Sequence, residues 1–276
     1  MSDKRISCSL TVQPWFQDHS VGGRIVLPAV ETMLFLAAKC VTVHPEIDTR
    51  TMENVHFGKF LEIPRNSATV PVLVECTAGT DNRVQAKLLS HWQLGAMARI
   101  KEHGEILFPA AARNMGLPAN IDPAPLPGTI KVVDSEQLYR DLVPFGRYYH
   151  TLQETLYLSD CQAWGKLQAP ELPFIDPVQT VIGSPFPLDG ALHAACVLGQ
   201  QFVDFPPFPV GFKRRIIFRP TQPGGRYLTR VTMTSPVANE LIFDLHIFNY
   251  DGQLYETVTG IRMRDVSKAM QKRTGE

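Results

Sequence analysis

Residues 19–40 read HSVGGRIVLPAVETMLFLAAKC: a histidine, a glycine pair, a short apolar run and then a helix start. Pro28 suits a first helical position, where its missing N–H has no partner to lose, and Val30, Met33, Leu34 and Ala37 recur on one helix face. Pro28, Glu31 and Lys39 interrupt the apolar window from Ile25 to Val43, so it predicts a core helix and not a membrane span. A second stretch, LDGALHAACVL over 188–198, follows Pro187 and matches the first in length and in small apolar content. Strand candidates surround each helix: 5–13, 51–63, 67–77 and 83–91 near the first, and 153–169, 212–219, 226–234, 240–249 and 253–264 near the second. One buried helix among about five strands, repeated twice, predicts an α+β fold of two halves, each a sheet wrapped around a central helix.

The halves are divided by PAAARNMGLPANIDPAPLPG, residues 109–128, whose five prolines exclude a helix or a central strand. This organisation predicts an N-terminal half over 1–110, a proline-rich linker over 111–129, a C-terminal half over 130–268 and a disordered tail over 269–276. With 27 basic against 27 acidic residues the formal charge is zero, which removes the electrostatic footprint of a nucleic-acid or anionic-membrane protein. The five cysteines form no Cys-x-x-Cys pair, which argues against a disulfide framework or structural zinc and for a reducing compartment. The start MSDKRISCSLTV lacks the apolar core of a signal peptide, so a cytoplasmic location is expected.

Two constellations could carry chemistry. In the first, His19 lies on a turn, Gly23 allows backbone to approach a ligand closely, and the helix start near Pro28 offers N–H groups to a developing negative charge. In the second, Asp189 and His193 stand four residues apart on one face of the second helix, so the imidazole can orient the carboxyl. A loop histidine and a helix-capping carboxylate are the ordinary readings of each taken alone. Two polar side chains on an otherwise apolar, buried helix carry a desolvation cost that usually has a functional reason. Histidines 44, 56, 91, 103, 150 and 246 are scattered without HExxH or a Cys/His cluster, and neither Gly22-Gly23 nor Gly224-Gly225 has a phosphate-loop frame. No metal or nucleotide is expected. Cys40 and Cys196 read as small buried thiols.

Together the two constellations resemble the dehydratase domains of polyketide synthases, which are double hotdog folds. The family motif HxxxGxxxxP is met by His19, Gly23 and Pro28, and its DxxxQ or DxxxH motif by Asp189 and His193, about 170 residues further on. Phe208-Pro209-Val210-Gly211-Phe212 resembles the segment after the family's second helix, and Asn249 to Glu256, with Gly260 and Arg262, its closing hairpin. A middle motif, Gly-Tyr-x-Tyr-Gly-Pro-x-Phe, corresponds loosely to residues 145–150, with Gly146-Arg147 in place of the Gly-Pro pair.

The resemblance implies that His19 removes the α-proton of a 3-hydroxyacyl thioester and that Asp189 protonates the departing β-hydroxyl, giving a trans-2-enoyl thioester in polyketide or fatty-acid-like biosynthesis. An apolar helix suits an acid that must hold its proton, because desolvation disfavours the charged carboxylate. Supporting roles fall to His193, to the Gly23 N–H as thioester oxyanion donor (any side chain there obstructing it), to Pro28, and to Tyr149 as a partner of the β-hydroxyl. The resemblance implies no cofactor beyond the substrate's phosphopantetheine arm, an acyl carrier protein or coenzyme A as carrier, and a homodimer as the oligomer. Lys213, Arg214 and Arg215 are the dense basic cluster that could meet an anionic carrier, although a solvated strand edge is the commoner use of such a run. The same fold and dyad could instead serve double-bond isomerisation or a product-template-like cyclisation, and an inactive carrier-binding module is the non-enzymatic alternative.

Overall fold

The structure is a computed structural model that describes residues 3–79, 83–94, 97–109, 116, 118–125, 127–237 and 240–266. Positions 111–115, 117 and 126 of the predicted linker, and all of the predicted tail 269–276, lie outside the described residues.

Strands β1 (Asp3–Thr11), β4 (Thr51–Phe57), β5 (Thr69–Ala78), β6 (Arg83–Leu94) and β7 (Met97–Pro109) surround helix α1 (Ala29–Val43), and a small hairpin of β2 (Ser20–Val21) and β3 (Arg24–Ile25) precedes it. After β8 (Lys131–Asp134) come the short helix α2 (Ser135–Gln137), β9 (Leu152–Leu158), β10 (Gln162–Gln168), the short helix α3 (Gln179–Ile182) and helix α4 (Phe186–Gly199). Strands β11 (Phe208–Ile217), β12 (Arg226–Val237), β13 (Glu240–Phe248) and β14 (Leu254–Arg264) complete the chain. Twelve strands form one antiparallel sheet in the order β1-β5-β6-β7-β4-β11-β14-β13-β12-β10-β9-β8. Helix α1 packs on β5, β6 and β7, and α4 packs on β9, β10, β12 and β13; the two helices also touch each other. This is the double hotdog arrangement.

Helix α4 is buried along its whole length, as expected of a helix that is apolar all round. Its fit against β9 and β10 depends on Gly190, where a Cβ would lie 2.1 Å from Thr151 Oγ1 and 2.9 Å from a Leu167 methyl. The halves join through the pairing of β4 with β11, for example Phe212 opposite Val55 and Arg215 opposite Met52. The Asn249–Gln253 turn closes the hairpin of β13 and β14, with Asn249 Oδ1 accepting the N–H groups of Asp251 and Gln253.

Several expectations need correction. Pro28 is the cap residue and α1 begins at Ala29, because its extended ψ of 148° places it outside the helix. The run 153–169 is two strands separated by a turn at residues 159–161, and the segment 58–63 has left the strand. Strands β7 and β8 were not expected, since in β7 Lys101, Glu102 and Glu105 dilute the apolar signal that Ile106 and Phe108 carry into the core. The basic run 213–215 is not a strand edge: β11 is central, paired on both sides.

Candidate active site

His19 follows a 3-10 turn (Pro14–Asp18) anchored by the buried rings of Trp15 and Phe16. It enters the β2–β3 hairpin, whose two-residue turn is Gly22-Gly23 with φ of 58° and 77°, left-handed values that glycine supplies without strain. The hairpin closes on the histidine. Val26 N–H donates to the His19 carbonyl at 3.1 Å, and His19 Nδ1 donates to the Val26 carbonyl at 3.0 Å. Because the partner is a carbonyl, Nδ1 carries the hydrogen and Nε2 keeps the lone pair in the neutral ring. His19 is 8% exposed, and burial lowers its pKa to about 4, while the charge of Asp189 pulls it back up.

The loop 145–150 brings the halves together at this point. Phe145 stacks on the His19 ring with centroids 4.3 Å apart, and its ring lies 5.2 Å from His193. Asp18, the neighbour of His19, fixes that loop: its carbonyl accepts the Gly146 N–H at 2.7 Å and its carboxylate accepts the Tyr148 N–H at 2.9 Å. Tyr149 meets the His19 ring edge-on at 5.3 Å and is fully buried, and its hydroxyl has no hydrogen-bond partner. Desolvation, and then the charge of Glu31, hold its pKa well above the ordinary value.

From the second half, the start of α4 delivers Asp189 at 5% and His193 at 4% exposure. His193 Nε2 stands 3.0 Å from Asp189 Oδ2, but out of line, so both atoms lack a properly formed hydrogen bond. The other ring nitrogen is held from behind. Tyr139 accepts the Leu152 N–H on its hydroxyl at 2.8 Å, which leaves its own proton to donate to His193 Nδ1 at 3.3 Å. The Tyr139 ring is also stacked 4.2 Å from His150. In the neutral ring, Nε2 then bears the hydrogen that faces the carboxyl.

The predicted residues His19, Asp189, His193 and Tyr149 are thus brought into one buried patch. Gly23 stands at the hairpin tip, where an added Cβ meets nothing within 4 Å, so the glycine is required by its φ and not by crowding. Arg215 is reassigned. It is 3% exposed and grips Glu256 through Nε at 2.7 Å and Nη2 at 3.0 Å, so it faces no carrier. Arg214 lies 3.8 Å from Glu53 on the adjoining strand, and Lys213 packs beside Gly260. Asp18, Tyr139 and Phe145 are contributors that the sequence reading did not assign; the adjacency of Asp18 to His19 and the place of Phe145 at the head of the loosely matched middle motif were the available signals. Among the described residues no cluster of three or more His, Cys, Asp or Glu could hold a metal, and no helix is long and apolar enough to cross a membrane.

A buried histidine from one half and a buried carboxyl–imidazole pair from the other, with one aromatic ring touching both imidazoles, lie together in a continuous double-hotdog sheet. The sequence profile described as polyketide synthase dehydratase N-terminal domain matches residues 119–273, and the one described as polyketide synthase dehydratase domain matches residues 4–91. The chain belongs to the polyketide synthase dehydratase family. Among solved structures it is similar to the dehydratase domain of a mycocerosic acid synthase-like polyketide synthase, with a TM-score of 0.75 and 16% identity over 97% of this chain and 92% of that one. A trans-AT polyketide synthase dehydratase domain from Brevibacillus brevis aligns with a TM-score of 0.72 and 17% identity, over 95% and 93% of the two chains. A bifunctional dehydratase-cyclase domain in ambruticin biosynthesis aligns at 0.69 and 19%, over 95% and 91%. At these identities the likeness establishes the fold. Comparison with curated proteins finds no match.

Proposed function

We propose that the protein dehydrates a 3-hydroxyacyl thioester, presented on the phosphopantetheine arm of an acyl carrier protein or coenzyme A, to the trans-2-enoyl thioester. The observation that carries this reading is the convergence of a neutral, singly hydrogen-bonded His19 with the Asp189–His193 pair, Phe145 touching both imidazoles. His19 Nε2 removes the α-proton, and the electron pair builds enolate character on the thioester. Asp189, entering the cycle protonated, gives its proton to the β-hydroxyl; the C–O bond breaks, water leaves and the α,β double bond forms. A positioned proton transfer of this kind contributes roughly 10²–10⁴-fold.

The two roles reinforce each other. Burial keeps His19 neutral and ready, and as Asp189 gives up its proton the new negative charge raises the basicity of His19, stabilising the imidazolium just formed. The unpartnered Tyr149 hydroxyl and His193 Nε2 are buried polar groups that a β-hydroxyl, both donor and acceptor, can satisfy. The Gly23 N–H at the hairpin tip is the proposed donor to the thioester oxygen.

Mass spectrometry of wild type, His19→Ala and Asp189→Asn with a panel of 3-hydroxyacyl pantetheine thioesters tests the reading. Loss of one water catalysed by wild type and abolished in both variants is expected. Intact substrates with wild type would overturn it, and enoyl thioesters would then be tried for isomerisation.

A further inference from the structure

Glu31 is a second buried carboxyl beside the dyad. It lies in the first turn of α1 and is 4% exposed. One oxygen, Oε1, accepts the Trp15 indole N–H at 2.9 Å; Oε2 has no hydrogen-bond partner among the described residues. A carboxyl buried with one hydrogen bond is costly, and desolvation raises its pKa to about 7. Nothing in the fold requires an acid there, since Trp15 Nε1 needs only a neutral acceptor.

Glu31 also lines a cleft of about 320 Å³ between α1, the end of β1 and the segment at Asp176. Phe16, Leu34 and Phe35 contribute apolar walls, and Lys39 stands at the cleft with its ammonium 5.5 Å over the Phe35 ring and no ion pair to Glu31. The carboxyl belongs to the active-site region as well. Trp15, which it holds, packs 6.2 Å from Phe186 at the start of α4 and 6.5 Å from Tyr148, and the charge of Asp189 acts on Glu31 while the charges of both carboxyls act on Tyr149. Glu31 therefore borders the cleft on one side and, through Trp15, is tied to Phe186 and Tyr148 on the other.

We propose that Glu31 is a specificity-determining residue that reads a hydrogen-bond donor, a hydroxyl or an amine, carried on the acyl chain lodged in this cleft, and selects such chains over plain alkyl chains. The proposal rests on the acyl-thioester reading above. The cleft mixes apolar walls with polar side chains, Ser9, Thr11, Gln13, Lys39 and Asp176 besides Glu31, and a buried acceptor left without its partner disfavours the analogue that lacks it. A hydrogen bond to a buried charged or partly charged group corresponds to roughly tenfold to hundredfold in affinity.

Isothermal titration of wild type, Glu31→Gln and Glu31→Leu with saturated acyl pantetheine thioesters tests this, in a short series of lengths ending in methyl, hydroxyl or amine. These probes lack the β-hydroxyl and cannot lose water, so the outcome does not depend on whether dehydration occurs. Wild type should bind the hydroxyl or amine chain roughly tenfold to hundredfold more tightly than the methyl chain, Glu31→Leu should level that preference, and Glu31→Gln should lose selectivity for the amine while still accepting from Trp15. Equal binding of the three chains by wild type, no binding of any of them, or a preference that survives in both variants would overturn the assignment. Should Glu31→Leu fail to fold, the amine arm with Glu31→Gln decides. Failure of the turnover assay with a retained binding preference would remove the dehydratase reading and leave this site standing.

Discussion

Replacing Glu31 by Gln should change how stability depends on pH. A carboxyl whose proton is held to about 7 in the folded chain, against the usual 4.5, stabilises the fold while protonated; that contribution is complete below 4.5 and is lost as pH rises through 7. At about 1.4 kcal/mol per pH unit the whole effect is about 3 kcal/mol, of which about 2 to 3 falls between pH 5 and pH 8. His19 works in the opposite direction. Its pKa is lowered from 6.5 to about 4, so its contribution is present above 6.5 and is lost as pH falls through 4, costing about 2 kcal/mol at pH 5 relative to pH 8. In wild type the two terms largely cancel. In Glu31→Gln only the histidine term remains, so urea unfolding should show the variant less stable at pH 5 than at pH 8. The wild type minus variant difference should shift by about 2 to 3 kcal/mol between these pH values. An identical difference at both would refute the argument that burial holds the Glu31 proton.

Tyr139→Phe should keep the ring stack on His150 but strand the Leu152 N–H and release His193 Nδ1, costing about 1 to 3 kcal/mol in unfolding free energy. If Tyr139 positions His193, kcat for dehydration should fall with KM little changed, and ¹⁵N shifts of the His193 ring should report a mixture of tautomers in place of one. Arg215→Met should leave Glu256 buried without its partner and lower stability by about 3 to 5 kcal/mol, with Arg215→Met/Glu256→Leu recovering most of the loss. Urea midpoints check this, and a single variant as stable as wild type would contradict the buried pair.

Much of the candidate site was legible because it is local. His19, Gly23 and Pro28 fall within ten residues, Asp189 and His193 within one helical turn, and such spacings carry their geometry with them. The two buried helices were equally legible, since small apolar residues bounded by proline leave few other readings. Strand β7 was hidden by its charges, and the 153–169 run was read as one element because a turn at residues 159–161 lacks a strong breaker.

What the sequence determined by itself was the inventory: two apolar helices among short strands, a histidine motif and an acid motif, and no excess charge to recruit a polyanion. Tertiary structure decided what those residues became. The pairing of β11 with β4 on one side and β14 on the other placed a basic run at the centre of the sheet and set Arg215 against Glu256 of β14 as a buried ion pair. The packing of the 145–150 loop on Asp18 set Phe145 between His19 and His193, and the folding of Trp15 onto α1 buried Glu31 beside the dyad. Burial and charge pairing depend on partners that only folding brings together, within a half for Glu31 with Trp15 and Arg215 with Glu256, and between the halves for His19 with Phe145 and Asp189, so these pKa values and partnerships arise only in the tertiary structure.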